Sequence, residues 1–372
     1  MTDCASCADE RAAGAAFCEA CGNELNPAAA VAAAPASGPV DAGNPKSCPH
    51  CGTADSVGAD GYCENCGMLA ARPRDHIEIV LAGAAAVTDR GQRHHRNEDA
   101  MWLTAHDGGV DAVICDGVSA SFDPDVASQT AADAAGAALA GGDGPVRLEL
   151  LSPEQHAALL AEHLSRAIVE ATTAVAELAR SGDPRRAVSN PACTIVAATV
   201  RGEYVDVGWV GDSRAYWLPA DGPAEQLTED DSWATHAIAM GADPEMAARD
   251  PKAHAITAWL GADAGPVRPR TAGFTVTAAG HLVLCSDGLW NYLPDPAVFG
   301  ATVRAALAGR SLIEAARALV EHANAAGGAD NITVVLIPVG PAAATEPADS
   351  PAAAEPPAAA EPPASADPVD KE

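Results

Sequence analysis

The sequence predicts an α+β protein in which antiparallel sheets are covered by helices, with two small four-cysteine units ahead of it. Three observations carry this prediction. Short apolar runs are joined by tight turns such as Arg201-Gly202-Glu203, which is typical of antiparallel strands. Helical periodicity occurs in separate blocks between those runs. Of the 11 cysteines, those in C-x-x-C pairs all lie before residue 67.

The first 70 residues contain an internal repeat. One copy reads CASCADERAAGAAFCEACGNEL and the other reads CPHCGTADSVGADGYCENCGML. We therefore predict two small units at 1–26 and 46–70. Residues 27–45 between them are rich in Ala, Pro and Gly, which predicts a flexible linker.

Two C-x-x-C pairs brought together supply four thiolates, which suit a closed structural zinc site. Disulfides and a redox pair are the alternatives, and disulfides are disfavoured without secretion. We expect two structural zinc ions and a role in docking an unidentified protein partner or positioning the following domain. The predicted ligands are Cys4, Cys7, Cys18 and Cys21 in the first unit, and Cys48, Cys51, Cys63 and Cys66 in the second.

Residues 75–339 form the predicted main domain. Ser152-Pro153-Glu154-Gln155 combines an N-cap, a proline at the first helical position and a capping-box partner, so a long helix is expected to begin there. Ser311 and Glu314 form a second capping box, which predicts a helix to about residue 325. A further helix is expected at about 125–140. The predicted strands are 76–81, 100–104, 110–115, 193–200, 204–210, 215–218 and 332–339.

The C-terminal segment, 340–372, repeats AAAEPP and contains almost no core-forming residues. Its charged residues are mostly acidic. We predict a disordered tail.

Composition excludes several classes of protein. A net charge of −29 and a pI near 4.5 disfavour a general binder of nucleic acid or anionic membrane, because phosphate repels such a surface. No apolar run approaches the roughly 20 residues of a membrane span. The start, MTDCASCADE, lacks the basic and apolar regions of a secretory signal. We expect a cytoplasmic protein.

Three cysteines lie singly in apolar runs: Cys115, Cys193 and Cys285. Isolated buried cysteine usually behaves as a small core hydrophobe. We expect all three to be part of the core rather than nucleophiles.

Acids follow or precede apolar runs at five places in the main domain. A lone acid there is usually a turn or cap residue, but five that converge would repel one another unless cations neutralise them. Oxygen ligands favour magnesium or manganese over zinc. The five are Glu98-Asp99, Asp116-Gly117, Asp212 in GDSR, Asp287-Gly288 and Asp330-Asn331.

The order NEDA, DG, GDSR, SDGLW and GGADNITVV resembles the metal-dependent serine/threonine protein phosphatases of the protein phosphatase 2C type. The resemblance covers about residues 75–339. It implies a four-layer α-β-β-α sandwich of two antiparallel sheets with a two-metal centre at one end. A water bridging the metals would attack the phosphorus of phosphoserine or phosphothreonine.

The resemblance also implies residue roles. Asp116, Asp287 and Asp330 would be catalytic metal ligands for Mn²⁺ or Mg²⁺, with the carbonyl of Gly117. Asp212 would help to hold a possible third ion. Glu98 and Asp99 would orient water, and Asn331 would steady the last ligand.

The sequence departs from the family pattern at three positions. His94 stands where the family has a phosphate-binding arginine, and Arg93 and Arg96 are alternative candidates. Val118 alters the glycine-rich loop after Asp116. Asn291 replaces an acid found in some relatives, which weakens the case for a third metal.

The sequence favours an active protein phosphatase, and the changes at His94 and Val118 keep open a catalytically weak binding or signalling module. Phosphorylated proteins are the implied substrates, with a serine/threonine kinase and its targets as candidates. Residues 232–260 are expected to form a flap beside the site that governs substrate choice.

Overall fold

A computed structural model of the chain describes residues 48, 51–58, 62–67, 72–106, 109–141, 152–180 and 182–341. The predicted first cysteine unit, the linker at 27–45 and all but the first two residues of the predicted tail lie outside the described residues.

Two large sheets dominate the structure, and every strand pair in them is antiparallel. One has the order β1-β2-β13-β12-β8-β9, the other has the order β11-β7-β6-β4-β3, and β10 pairs with β5 in a short ribbon. The strands are β1 His76–Leu81, β2 Ala84–Asp89, β3 Ala100–His106, β4 Gly109–Cys115, β5 Ala192–Cys193, β6 Ile195–Arg201, β7 Tyr204–Val210, β8 Arg214–Pro219, β9 Glu225–Gln226, β10 Leu260–Gly261, β11 Arg270–Thr275, β12 Gly280–Cys285 and β13 Ile332–Val339.

Helices lie in blocks between the strands, as the sequence predicted. They are α1 Pro124–Ala140, α2 Pro153–Leu178, α3 Trp233–Ala239, α4 Pro244–Ala248, α5 Asp287–Trp290, α6 Pro296–Leu307 and α7 Leu312–Ala325. Short 3-10 turns occupy Pro73–Asp75 and Pro184–Ala187.

Three apolar clusters separate four layers. The central one lies between the sheets, a second lies between the five-stranded sheet and α1 and α2, and a third lies between the six-stranded sheet and α6 and α7. Strand β12 illustrates the alternation, since Leu282 and Leu284 face the central cluster while Val283 and Cys285 face the α6–α7 side. The predicted α-β-β-α sandwich is confirmed.

Both predicted capping boxes are present. Ser152 Oγ accepts from the backbone N–H of Gln155 at 3.3 Å, and Gln155 Oε1 accepts from the N–H of Ser152 at 2.9 Å. Glu314 likewise accepts from the N–H of Ser311 at 2.8 Å. These bonds satisfy amides that an uncapped helix start leaves free.

The structure divides one predicted strand and adds elements that the sequence did not reveal. The run 193–200 breaks at Thr194, because β5 leaves the five-stranded sheet to pair with β10. Strand β2 escaped prediction since its sequence, AAAVTD, has low β-propensity. It is a strand because β1 and β13 flank it and bury it. Helix α6 was also missed.

The three isolated cysteines are fully buried, as expected for core residues. In the part of the chain that the structure describes, no helix is long and apolar enough to cross a membrane.

Candidate metal centre

The fold brings the predicted acids together at one end of the two sheets. Asp116 follows β4, and Asp287 follows β12 as the first residue of α5. Asp330 lies just before β13, and Asp212 lies between β7 and β8. Burial, and then the negative charges of Asp99 and the three other acids, raise the pKa of Asp116 well above its ordinary value.

The pKa values of Asp287, Asp212 and Asp99 are raised for the same reasons. Burial raises the pKa of Asp287 to about 6, and Asp330 adds to the shift. Burial raises the pKa of Asp212 to about 8, with Asp287 next in effect. For Asp99, burial raises the pKa to about 7 although two hydroxyl groups oppose the shift. Each acid makes ionisation of its neighbours more costly.

Two oxygens at this site are buried and have no hydrogen-bond partner: Asp99 Oδ1 and Asp287 Oδ1. Among the described residues, no Lys, Arg or His nitrogen lies within 4.0 Å of Asp99, Asp116, Asp212 or Asp287. Buried carboxylates are normally paired or bind metal. The donor set is therefore short of positive charge, and its all-oxygen chemistry suits Mg²⁺ or Mn²⁺.

Asp99 is held by two hydroxyl groups that the sequence analysis did not single out. Ser286 Oγ donates to Asp99 Oδ2 at 2.8 Å, and Thr333 Oγ1 donates to the same oxygen at 2.7 Å. Both residues belong to the quoted motifs, one just before Asp287 and one two positions after Asn331. Their closeness in sequence to the predicted ligands could have indicated a role for both hydroxyl groups.

Asn331 joins the loop that precedes β3 to the start of β13. Its Oδ1 accepts from the backbone N–H of Glu98 at 2.8 Å. Its Nδ2 donates to the carbonyls of Arg90 and Arg96 at 2.8 and 3.0 Å. The predicted steadying residue thus fixes the backbone of the loop that carries Glu98.

His94 lies between two of the predicted site acids. Its Nε2 is 3.1 Å from Asp330 Oδ1, and its Nδ1 is 3.9 Å from Glu98 Oε2. Ser119 Oγ donates to the same Glu98 oxygen at 2.6 Å. The structure therefore brings His94 to the predicted site even though the family's arginine is absent.

The two alternative phosphate-binding arginines are placed differently. Arg96 Nη1 donates to Asp125 Oδ1 at 3.1 Å, in the first turn of α1. Arg93 is exposed, and its backbone N–H donates to the carbonyl of Gly328 at 3.2 Å.

The glycines after Asp116 and Asp287 allow neighbouring backbone to approach closely. A Cβ at Gly117 would lie 2.7 Å from the carbonyl oxygens of Glu98 and Pro124. A Cβ at Gly288 would lie 1.9 Å from the carbonyl oxygen of Asn331. Glycine therefore lets the loops that carry the acids pack directly against one another.

Short polar contacts orient two of the remaining acids. Trp290 Nε1 donates to the carbonyl of Asp212 at 2.9 Å. Asn291 Nδ2 donates to Asp287 Oδ2 at 3.1 Å, so this departure from the family pattern contacts a predicted ligand.

The predicted flap, 232–260, contains α3 and α4 and is tied to the site at its base. Gly211 donates its N–H to Asp231 Oδ2 at 2.9 Å and accepts from the N–H of Asp231 at 2.8 Å. Arg214 forms two bonds to Asp230, at 2.9 and 2.7 Å. The flap thus begins beside the loop that carries Asp212.

The second cysteine unit forms a compact four-thiol cluster. Cys48 Sγ lies 3.6 Å from Cys66 Sγ, and Cys51 Sγ lies 3.6 Å from Cys63 Sγ. Thiolates about 2.3 Å from a tetrahedral zinc would be about 3.8 Å apart. Hydrogen bonding to Thr53 lowers the pKa of Cys51 to about 5, which favours the thiolate. The cluster fits zinc.

The two candidate metal sites differ in size. Among the described residues, these four cysteines are the only group of three or more His, Cys, Asp or Glu whose ligand atoms all lie within 4.8 Å of one another. The carboxylates extend further apart. A pair of ions about 3.5–4 Å apart needs a wider ligand set than a single ion does.

Comparison with protein families identifies both regions. Residues 88–321 match the family model for protein phosphatase 2C. Residues 4–67 match the model for the double zinc ribbon, which agrees with the predicted zinc-ribbon region.

Individual relatives agree with the family model. The serine/threonine phosphatase stp of Listeria innocua is 31% identical in an alignment of 257 residues that covers 67% of this chain and 93% of that protein. The structure of Stp1 from Staphylococcus aureus is similar, with a TM-score of 0.57 and 25% identity, over 70% of this chain and 96% of that one. The catalytic domain of the phosphatase PstP in complex with two manganese ions has a TM-score of 0.51 and 27% identity, over 69% of this chain and 97% of that one. The chain thus belongs to the protein phosphatase 2C family and is a serine/threonine protein phosphatase.

Proposed function

We propose that this phosphatase uses two Mn²⁺ or Mg²⁺ ions held by Asp116, the Gly117 carbonyl, Asp287 and Asp330. Asp212 would contribute to a third, weaker site. The observation that carries the proposal is the buried Oδ1 of Asp287, which lacks a partner among acids whose pKa values are raised. The manganese in the PstP relative supports the choice of metal.

When bound, the ions supply water of lowered pKa and neutralise charge on the phosphoryl group. The chain's own residues set the geometry. Glu98 and Asp99 accept hydrogen bonds from the attacking water, and Asn331 fixes the backbone of Glu98 through its 2.8 Å bond. Ser286 and Thr333 hold Asp99 in one orientation from 2.8 and 2.7 Å.

His94 is the best-placed candidate for contact with the scissile phosphate. It lies 3.1 Å from Asp330, at the mouth of the acid cluster. Imidazole offers two N–H donors when protonated but lacks the planar fork of arginine. Arg93 remains a candidate because its side chain is exposed, whereas the Arg96 side chain is directed towards Asp125 of α1.

The substrates are phosphoserine- and phosphothreonine-containing proteins, and we propose a serine/threonine kinase and its targets among them. Two structural zinc ions in the ribbons would complete the metal content. The ribbons would dock an unidentified protein partner or position the phosphatase domain, since zinc closed by four thiolates has no open position for catalysis.

The first experiment measures hydrolysis of a phosphothreonine peptide by protein treated with a chelator and then given Mn²⁺, Mg²⁺ or Zn²⁺. We expect turnover with Mn²⁺ or Mg²⁺ and little with Zn²⁺. Mass-spectrometric metal analysis should find two zinc ions that survive mild chelation and at least two manganese ions that do not. Turnover that persists without added metal, with no manganese or magnesium retained, would contradict the two-metal proposal.

A further inference from the structure

A basic region lies beside the acidic metal centre. The chain has 22 Lys and Arg against 51 Asp and Glu, yet the short segments 72–76 and 90–96 contain Arg72, Arg74, Arg90, Arg93 and Arg96. Such a concentration of positive charge on an otherwise acidic protein can attract an anion.

Three of these arginines surround one carboxylate, Asp125 of α1. Arg96 Nη1 is 3.1 Å from Asp125 Oδ1. The Nη1 atoms of Arg72 and Arg74 are 3.7 and 3.9 Å from Asp125 Oδ2. Arg74 Nη2 also donates to the Asp125 carbonyl at 3.1 Å. We call Arg72, Arg74 and Arg96 the arginine cluster.

The arginine cluster has more hydrogen-bond donors than its partners satisfy. Arg72 lies 3.6 Å from Asp75 and 3.7 Å from Asp125, and the carboxylate of Asp133 on α1 also interacts electrostatically with Arg74. Arg72 Nη2 and Arg74 Nε are buried and have no hydrogen-bond partner. Burial lowers the pKa of Arg74 and Asp125 opposes this shift, while the charges of Arg72 and Arg96 add to the lowering.

The cluster also remains open to solvent. The side chains of Arg96, Arg72 and Arg74 are 45%, 35% and 26% exposed. A purely structural ion pair would be better served by fewer, fully engaged guanidinium groups, because a buried unpaired donor is unfavourable.

The cluster adjoins the metal centre through two backbone connections. Arg96 is two residues before Glu98, and its carbonyl accepts from Asn331 Nδ2 at 3.0 Å. The carbonyl of Pro124, next to Asp125, would lie 2.7 Å from a Cβ at Gly117. A peptide whose phosphoresidue occupies the metal centre could therefore reach the cluster within a few residues, at about 3.3–3.6 Å per extended residue.

We propose that the arginine cluster is a second anion subsite that receives another phosphoryl group of the substrate, so that the enzyme prefers multiply phosphorylated segments. This inference rests on the proposed function. Guanidinium groups bind phosphate through paired, charge-assisted hydrogen bonds, which suits a dianion better than a single carboxylate. Arg96 would then bind this second phosphate rather than the scissile one.

The test compares peptides that carry one phosphothreonine with peptides that carry an additional phosphoserine two, three or four residues away on either side. A third set carries aspartate at the same positions. The readout is the ratio of kcat/KM for the doubly modified peptide to that for the singly phosphorylated one. Because a ratio cancels loss of folded or metal-loaded enzyme, the change in this ratio between wild type and variant reports the contribution of the arginine cluster.

Arg72→Gln and Arg74→Gln are the test variants, and Arg180→Gln is the control. Arg180 is exposed near the end of α2, where it forms a 3.9 Å ion pair with Glu177. In the wild type we expect a ratio of about 10 or more for at least one phosphoserine position, as one charge-assisted contact provides. The test variants should lower it several-fold, and the control should leave it unchanged.

A ratio near 1 in the wild type at every spacing would overturn the proposal. So would a ratio that both test variants retain while they remain folded, which would assign the cluster to anchoring α1 alone. An equal gain from aspartate would overturn the assignment to a phosphoryl group. If the wild type hydrolysed no peptide, the proposed function would fail separately. The ratio of dissociation constants, measured by fluorescence anisotropy with the same labelled peptides, would then decide for or against the subsite.

Discussion

Strand β4 has a buried acid near its start and a half-buried acid just after its end, and their surroundings differ. Asp111, fully buried near its start, is paired with Arg201 at 2.8 and 3.0 Å. Thr199 Oγ1 donates to it at 2.7 Å, and His106 Nε2 lies 3.3 Å away. Asp116, after the other end, has no Lys, Arg or His nitrogen within 4.0 Å among the described residues.

The difference shows how to separate a structural acid from a functional one. Both follow from the same requirement that a buried charge be neutralised. Where the chain supplies its own cation, as at Asp111, the acid stabilises the fold. Where the chain supplies only further acids, as at Asp116, the missing charge must come from outside. The neighbouring side chains, and not the presence of an aspartate, therefore distinguish the two kinds of acid.

The largest effect should come from removing charge at the metal end. Asp287→Asn keeps the shape and the contact with Asn291 but removes the negative charge of one proposed ligand. We expect kcat on a phosphothreonine peptide to fall on the order of 1,000-fold, because metal-based charge stabilisation supplies several kcal/mol. The midpoint of thermal unfolding without metal should not fall, since acid–acid repulsion is relieved. An unchanged kcat at saturating Mn²⁺ would remove Asp287 from the ligand set.

Near the start of β4 we expect a loss of stability without a loss of activity. Arg201→Met leaves the charge of Asp111 buried without its main partner, which should lower the free energy of unfolding by about 3–5 kcal/mol. The kcat per folded molecule should stay within about twofold, because Asp111 lies away from the predicted ligands.

The double variant Asp111→Asn with Arg201→Met provides the control for this prediction. If the lost stability reflects the unpaired charge, the double variant should be more stable than Arg201→Met alone. Urea unfolding of the four proteins in the cycle measures the difference. A double variant no more stable than Arg201→Met would show that packing of the Arg201 side chain, and not its charge, matters.

The pH dependence of stability should also distinguish the acidic cluster around Asp116 from the paired acid Asp111 at the other end of β4. Burial raises the pKa of Asp287 to about 6, of Asp99 to about 7 and of Asp212 to about 8, above the value near 4 in an unfolded chain. The folded, metal-free state therefore binds more protons than the unfolded state, so its stability declines as pH rises from about 4 to 8. Differential scanning calorimetry of the metal-free protein should show a lower melting temperature at pH 8 than at pH 5.5. Added Mn²⁺ should raise the melting temperature more at pH 8 than at pH 5.5.

Asp206 is a matched control for this measurement. It is buried on β7 near Asp111, and burial raises its pKa to about 7. Asp206→Asn should lessen the fall in melting temperature with rising pH but leave the increase produced by Mn²⁺ unchanged. Asp287→Asn should lessen both the fall with pH and the increase produced by Mn²⁺. A response to Mn²⁺ that is equal at the two pH values would contradict the acid-repulsion explanation.

Much of this site could be predicted because its residues lie in short motifs at strand ends. Asp116-Gly117 and Asp287-Gly288 follow apolar runs that must be buried strands. The two strands belong to different sheets, and packing of one sheet on the other brings their ends together. The cluster of Cys48, Cys51, Cys63 and Cys66 was equally predictable, because the spacing of C-x-x-C pairs is local.

Other features depend on contacts between distant parts of the chain. Pairing of Arg96 with Asp125 spans 29 residues and requires the placement of α1. The bond from Thr333 to Asp99 spans 234 residues. Strand β2 has few strand-favouring residues and forms because two neighbours bury it. No local pattern specifies these outcomes, since tertiary packing determines them.

The smallest effect should come from the hydroxyl chain behind Asp99. Asn97 Nδ2 donates to Thr88 Oγ1 at 2.9 Å, and Thr88 and Thr333 share a bond of 2.7 Å. Because Thr333 donates to Asp99 Oδ2, its oxygen accepts from Thr88. Thr333→Val keeps the shape, removes one donor from Asp99 and leaves the Thr88 hydroxyl without its acceptor.

We expect Thr333→Val to cost about 1–3 kcal/mol of stability and to lower kcat several-fold, far less than Asp287→Asn. Thr88→Val is the matched control, because its hydroxyl is one bond further from Asp99 and its loss should leave kcat nearly unchanged. Peptide hydrolysis at saturating Mn²⁺ and thermal unfolding measure both variants. Equal loss of kcat in the two would mean that the threonines act through packing. A larger loss for Thr333→Val would show that Asp99, which no arginine of the described residues neutralises, depends on hydroxyl donors to stay in its working orientation.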